Sequence, residues 1–315
     1  MKKINLLKIV PFIPIVLIAQ ESLTSQYLER YHKSISYWIM DGSDIVDRYL
    51  ADTNDTKKLS KTRVKIAYEF GTNSKSGSSN TLDFGLSLSL PRLENKAKIT
   101  LEKVNKTTGL FGNNAESTLS KKEDNFDDSY NLALKYSQWR GKKSSIALTG
   151  GIRFNKIFFE PYIGLIAGYT IINNTKENLT IKDTLRFYIA GEIKNNFSTQ
   201  YLYNYSNDIL LGWRGNFEYS NKSDIQNLIS EFIWHKYIDE DKFIRVGFVS
   251  TATLTNFKKP KKDNFELYTK YHNKMLNKDW LFYEVTPSVD WKKEDNYKTS
   301  VGVKLKIGAT FGGFR

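Results

Sequence analysis

Apolar and polar residues alternate with a period of two along most of this chain beyond residue 60, most plainly from Asp279 to Phe314. Leu281, Tyr283, Val285, Pro287, Val289 and Trp291 share one face. After a polar break at Lys292–Asn296, Tyr297, Thr299, Val301, Val303, Leu305, Ile307 and Ala309 share another. The opposite positions include Glu284, Asp290, Lys298, Lys304 and Lys306. Successive Cβ atoms of a strand point to opposite faces, so this alternation predicts strands standing between an apolar solvent and water.

The same pattern recurs upstream. Val64, Ile66, Tyr68 and Phe70 alternate with Arg63, Lys65 and Glu69; Leu82 to Leu90 alternate with Asp83, Gly85, Ser87 and Ser89. Pro91 ends that strand, where its missing N–H costs no ladder bond. Ala97–Leu101, Tyr130–Tyr136 and Ile146–Phe154 follow. Phe159–Thr170 is apolar on both faces, which leaves its orientation open. Leu185, Phe187, Ile189 and Ile193, opposed by Arg186, Tyr188, Glu192 and Lys194, read as one strand. Next come Phe197–Tyr205, Leu211–Tyr219, Leu228–His235, Ile244–Leu254, Phe265–Tyr271 and the closing pair. The expectation is an all-β, closed antiparallel transmembrane barrel of 12–14 strands, best read as fourteen, over residues 59–315. A soluble β-sandwich is the rival, but this many alternating strands fit a closed sheet better.

Residues 20–58 read differently. Leu28, Ile35, Trp38, Ile39, Ile45, Val46 and Tyr49 fall near helical spacing, Gly42 interrupts, and Ser43 could cap a second helix with Asp44 and Asp47 in its first turn. Two short helices and a polar linker are expected, resting on the periplasmic rim or plugging the lumen with Tyr37 and Trp38 inside.

Composition adds an address. Residues 1–19 carry Lys2, Lys3 and Lys8 before the apolar run Ile9–Ile18 and end on Ala19, as a secretory signal does. That run, interrupted by Pro11 and Pro14, is too short to span a bilayer, which needs ~20 residues. There is no cysteine, so neither lipid attachment nor disulfides are expected. The formal charge of +13 falls to +10 without the three signal lysines (13 − 3). Lysine and asparagine are abundant throughout, so this reads as composition bias, and nucleic acid is not expected as a partner.

Candidate chemistry is concentrated on the charged strand faces. Arg63, Arg153, Arg186, Arg214 and Arg245, with Glu69, Glu192, Glu218, Glu231 and Glu284, all oppose apolar positions and are expected to face the lumen. They would form either a salt-bridged, largely filled interior or a narrow polar pore whose arginines favour anions. Lys258, Lys259, Lys261 and Lys262 form a basic loop suited to phosphates of lipopolysaccharide, against the plainer reading of a solvated loop. The acidic run Glu123–Asp128 lacks EF-hand spacing, and neither a metal nor a cofactor is expected. Glu231 and His235 lie four apart, ~13 Å along one strand, too far for a direct acid–base pair. Ser230 is on the other face and no nucleophile elbow or HExxH occurs, so no enzyme is expected.

The segment Trp280-Leu-Phe-Tyr-Glu-Val-Thr-Pro287, closed by Phe311-Gly312-Gly313, resembles the C-terminal part of a family of exported Gram-negative proteins with a WLFYE-x-x-P signature and a closing Phe-Gly-Gly. Ser36-Tyr37-Trp38 to Asp47 and Leu88-Ser-Leu-Pro91-Arg92 look similar to that family's other islands. The resemblance covers most of the mature chain and implies an outer-membrane barrel, but no activity. One departure from barrels in general is Arg315 after Phe314, where a terminal aromatic usually stands for the assembly machinery to read. The combined expectation is a narrow porin-like pore, with a non-conducting structural or surface-interaction barrel as alternative and a barrel-wall hydrolase third. Outer-membrane lipid, lipopolysaccharide and the barrel-assembly machinery are the expected partners.

Overall fold

A computed structural model describes residues 23–51, 62–93, 97–103, 130–141, 143–154, 159–222, 225–255 and 261–312. The signal segment, the acidic loop, Lys258, Lys259 and the closing Phe314-Arg315 lie outside them. One helix, α1 (Leu23–Ala51), precedes fourteen strands. These are β1 (Arg63–Asn73), β2 (Gly77–Leu90), β3 (Ala97–Lys103), β4 (Tyr130–Arg140), β5 (Ser144–Phe154), β6 (Phe159–Asn173) and β7 (Glu177–Tyr188). They continue as β8 (Ile193–Asn204), β9 (Ile209–Ser220), β10 (Ile225–Asp239), β11 (Lys242–Thr255), β12 (Lys261–Met275), β13 (Lys278–Lys292) and β14 (Thr299–Gly312).

Each strand pairs antiparallel with its sequence neighbours, and β1 pairs with β14 from Arg63↔Gly312 to Asn73↔Gly302, closing the ring. Closure joins the first strand to the last, so the ring has no terminal edge strand. The outward face is apolar and open: Tyr68 is 51% exposed, Leu82 58%, Ile163 68% and Phe232 56%. The inward face is polar and charged. This inverts a soluble protein, whose apolar side chains fill the interior.

The undecided strand β6 has a clear facing. Phe159, Ile163, Leu165 and Tyr169 point out, while Tyr162 is buried inside with Ala133 and Tyr188. Three inward aromatics lie across glycines directly opposite on the next strand: Tyr162 over Gly151, Tyr268 over Gly247 and Phe282 over Gly308. A Cβ at any of these glycines would collide with the ring. The ring covers backbone that glycine leaves bare, a cross-strand pairing that fixes register.

Three sequence expectations need correction. The helical segment is one continuous helix through Gly42, not two. A helical glycine costs only ~1 kcal/mol, and the contacts beyond it at Ser43, Asp44 and Asp47 outweigh that; Ser43 bonds Thr62 instead of capping. The stretch Leu185–Lys194 is a hairpin, not a strand. Tyr188 N–H donates to the Glu192 carbonyl, Gly191 takes φ +79°, and Glu192 sits in the turn. Tyr297 likewise belongs to the turn before β14, at φ 56°.

Candidate functional site

Strand register assembles the inward charges into rows. One row runs His272↔Glu284↔Lys306↔Glu69 across β12, β13, β14 and β1. Glu284, 1% exposed, contacts Lys270 Nζ at 3.5 Å and His272 Nδ1 at 3.1 Å. Lys306 bridges Glu69 at 3.4 Å and Asp83 at 2.7 Å, and Lys304 adds a 3.3 Å contact to Glu69. A second row runs Arg214↔Glu231↔Val249↔Glu266↔Asp290 from β9 to β13. Arg214 pairs with Glu231, whose other oxygen accepts from Tyr268 at 2.5 Å. Glu231, Glu266 and Asp290 are at most 1% exposed. Charges this deeply withdrawn are tenable only when paired and hydrogen-bonded.

The opposite sector, β6 to β9, is more open. Inward Lys182, Arg186, Lys194, Asn196, Gln200 and Glu218 are half-buried. Glu218 accepts from Asn196 at 3.1 Å and Asn216 at 3.2 Å. At the end of the barrel away from α1, Arg153 bridges Glu160 and Glu192 and lies 4.3 Å from the Tyr188 ring centroid. Glu192 also accepts from Ser220 at 2.8 Å.

The expected ladder therefore holds in part. Glu69, Arg153, Glu192, Arg214, Glu231 and Glu284 are paired with opposite charge. Arg186 instead stacks on Tyr162, 5.6 Å to its centroid. Arg245 donates to His235 Nδ1 at 3.2 Å and lies over Phe243. Arg63 stands exposed at the strand end. No acid lies opposite these three in the register, so strand parity placed them inward without giving them a carboxylate. Lys65, Asp83, Glu266, Lys270, Asp290 and Lys306 also face the interior. Their signal was the same parity, one residue away from outward apolar neighbours. Lys261 and Lys262 open β12, opposite Thr253 and Ala252. Asp183 breaks the facing rule: it lies on the outward face of β7, opposite Phe197 and bonded by Asn195 at 2.7 Å.

A second constellation sits where α1 crosses the strand ends. Glu29 contacts Lys278 at 2.9 Å and Trp280 Nε1 at 3.3 Å. His32 stacks on Trp280, with centroids 4.2 Å apart, and donates to the Thr310 carbonyl at 2.9 Å. Gly312 N–H donates to Ser36, Ser43 bonds Thr62, and Asp47 takes both the backbone N–H and the guanidinium of Arg92 at 3.1 Å. Tyr37 and Trp38, 68% and 75% exposed, do not pack inside a lumen. The hydrogen bond from Lys278, joined by that from Trp280, holds the Glu29 carboxyl below its ordinary value of 4.5. Four segments separated in sequence meet at this junction: Ser36–Asp47, Arg92, Trp280 and Phe311-Gly312.

The fold is thus a closed fourteen-stranded antiparallel barrel with an apolar outside and a charged inside. Among solved structures it is similar to in-vitro folded OmpT, an outer membrane protein of Vibrio cholerae (10% identity, 82% of this chain and 100% of that one, TM-score 0.48). It is also similar to OccD1 (OprD) (6%, 80% and 95%, 0.43) and to the NanC porin (8%, 78% and 98%, 0.37). No family model and no curated protein matches the chain.

Proposed function

We propose that the chain is an exported outer-membrane β-barrel acting as a narrow porin-like pore with a charged lumen. The observation that carries this is the inverted distribution: an exposed apolar belt outside and a polar, charged wall inside. A charge on the lipid face costs ~2–4 kcal/mol at mid-membrane, which fits this facing. The permeation path follows the half-buried β6–β9 sector, where Lys182, Arg186 and Lys194 (the last paired with Glu192 at 3.3 Å) outnumber Glu192 and Glu218 and favour anions. Refolded full-length protein in planar bilayers tests it. A small steady conductance is expected, with anion preference that falls in the Lys182→Glu/Lys194→Glu double variant. Persistent silence from folded protein would sink the pore.

A non-conducting structural barrel is the second reading, favoured by the near-zero exposure of Glu231, Glu266, Glu284 and Asp290. A hydrolase fits the geometry poorly. Ser230 faces outward, bonded by Trp213, and Glu231 is held by Arg214 and Tyr268. Lipid or peptide turnover abolished by His235→Ala would revive it. We further assign the chain to the WLFYE-x-x-P family, supported by the meeting of its signature segments at the α1 junction. Membrane lipid, the barrel-assembly machinery and lipopolysaccharide are the partners proposed, the last at Lys258, Lys259, Lys261 and Lys262. Replacing those four lysines should weaken salt-sensitive adhesion to lipopolysaccharide, and unchanged adhesion would remove that partner.

A further inference from the structure

The helix α1 is inverted in the same sense as the barrel. His32, Ser36, Ser43 and Asp47, all at most 2% exposed, line its buried face. Tyr27, Tyr31, Ile35, Trp38, Ile45 and Tyr49, between 41% and 84% exposed, fall within an arc of about 80° at the helical repeat of about 3.6 residues. An unburied apolar stripe of this size on a folded protein marks a surface that meets something other than water.

Its position selects the occupant. From Glu29 to Asp47 the helix touches, in order, the ends of β13, β14, the residue before β1, and the turn after β2. These elements are consecutive around the ring, so α1 runs along the rim, perpendicular to the barrel axis. An element lying that way in a membrane barrel lies in the membrane plane. At this same end the outward alternation changes: Val64, Leu90 and Ala97 are 6%, 0% and 4% exposed, while Ile66 and Leu82 further along the wall are 38% and 58%. The apolar belt therefore does not stop at the strand ends; its bottom edge is covered and the exposed stripe of α1 takes over. Tyrosine and tryptophan are the residues that settle at headgroup depth, and exposed Arg30 beside the stripe is placed for a lipid phosphate.

We infer that α1 is an interfacial anchor whose Tyr27–Tyr49 stripe is embedded in the phospholipid leaflet at the α1 end of the barrel. This rests on the membrane reading proposed above. The chain has no cysteine, so single-cysteine variants Ile45→Cys, Lys33→Cys and Leu82→Cys can each carry one environment-sensitive fluorophore. Full-length protein is refolded into vesicles of mixed zwitterionic and anionic phospholipid, then quenched by nitroxide lipid or by aqueous iodide. The expected result is loss of most fluorescence at positions 45 and 82 to the lipid quencher and little to iodide, with the reverse at 33. Lipid quenching at 82 with iodide quenching at 45 overturns the anchor while leaving the barrel in the membrane. Iodide quenching at both overturns the membrane reading and the anchor together. Concentration-dependent self-quenching at 45 without lipid quenching assigns the stripe to a second copy, and overturns the anchor as well.

Discussion

From β9 round to β1 most inward acids are almost wholly withdrawn from solvent, with Glu231 and Glu284 at 1% exposure, and so is Lys270 at 2%. From β6 to β9 their counterparts, Lys182, Lys194 and Glu218, keep partial solvent contact. Both sectors follow the same alternation, yet they make different demands. On the first side each charge depends on a protein partner, because removal from water is costly. On the second side amides and solvent share the load, so individual contacts matter less. One barrel therefore carries a tightly paired, buried side and a more open, solvent-touched side.

The largest effect that bears on this division should come from Glu231→Ala, which takes the paired carboxylate from buried Arg214. Loss of a buried partner costs about 3–5 kcal/mol, so the urea midpoint of the refolded barrel should fall steeply. Glu218→Ala on the open side should cost under about 1 kcal/mol. Equal losses would erase the distinction between the two sides. Gly247→Ala, which drives a methyl group into the Tyr268 ring, should cost about 1–3 kcal/mol by overpacking. Asp183→Leu should do the opposite on the open side's outer wall. Removing this outward carboxylate should stabilise the barrel in lipid by about 1 kcal/mol, read from the same midpoint, with no change expected from Leu185→Ile beside it. The smallest effect concerns α1, which docks on the tightly paired side. Its Glu29 is held below the ordinary value of 4.5, so the stability it contributes is full above that pH. It is lost as pH falls through the lowered folded value. Protease cleavage within α1 should therefore rise at acidic pH, and Glu29→Gln should abolish the dependence.

Much of the barrel was legible because the signal is geometric. A strand between lipid and a polar interior must alternate, so Leu281–Trp291 or Leu82–Leu90 could be read without knowing any neighbour. The failures mark where a second constraint acts. Leu185 to Lys194 kept the right parity across a tight hairpin, and only the left-handed Gly191 exposed the turn. Gly42 looked like a helix break because the contacts beyond it come from residues distant in sequence, Thr62 and Arg92. The inward placement of charge followed from parity alone, but partners did not. Arg245 found His235 and Arg186 found Tyr162 because cross-strand register, set by turns and bulges, decides who stands opposite whom.

The docking site of α1 exists only when the chain has come full circle. Its two halves come from the last hairpin, through Trp280 and Thr310, and from the first, through Thr62 and Arg92; His32 and Thr310 are 278 positions apart. No partly zipped sheet presents both halves side by side. The helix thus acts as a latch that engages only a finished ring, rewarding the last step of assembly and leaving every open intermediate unrewarded. A circular permutant that moved the break from the β14–β1 seam to another hairpin would keep every barrel pair, yet lose that check on completion.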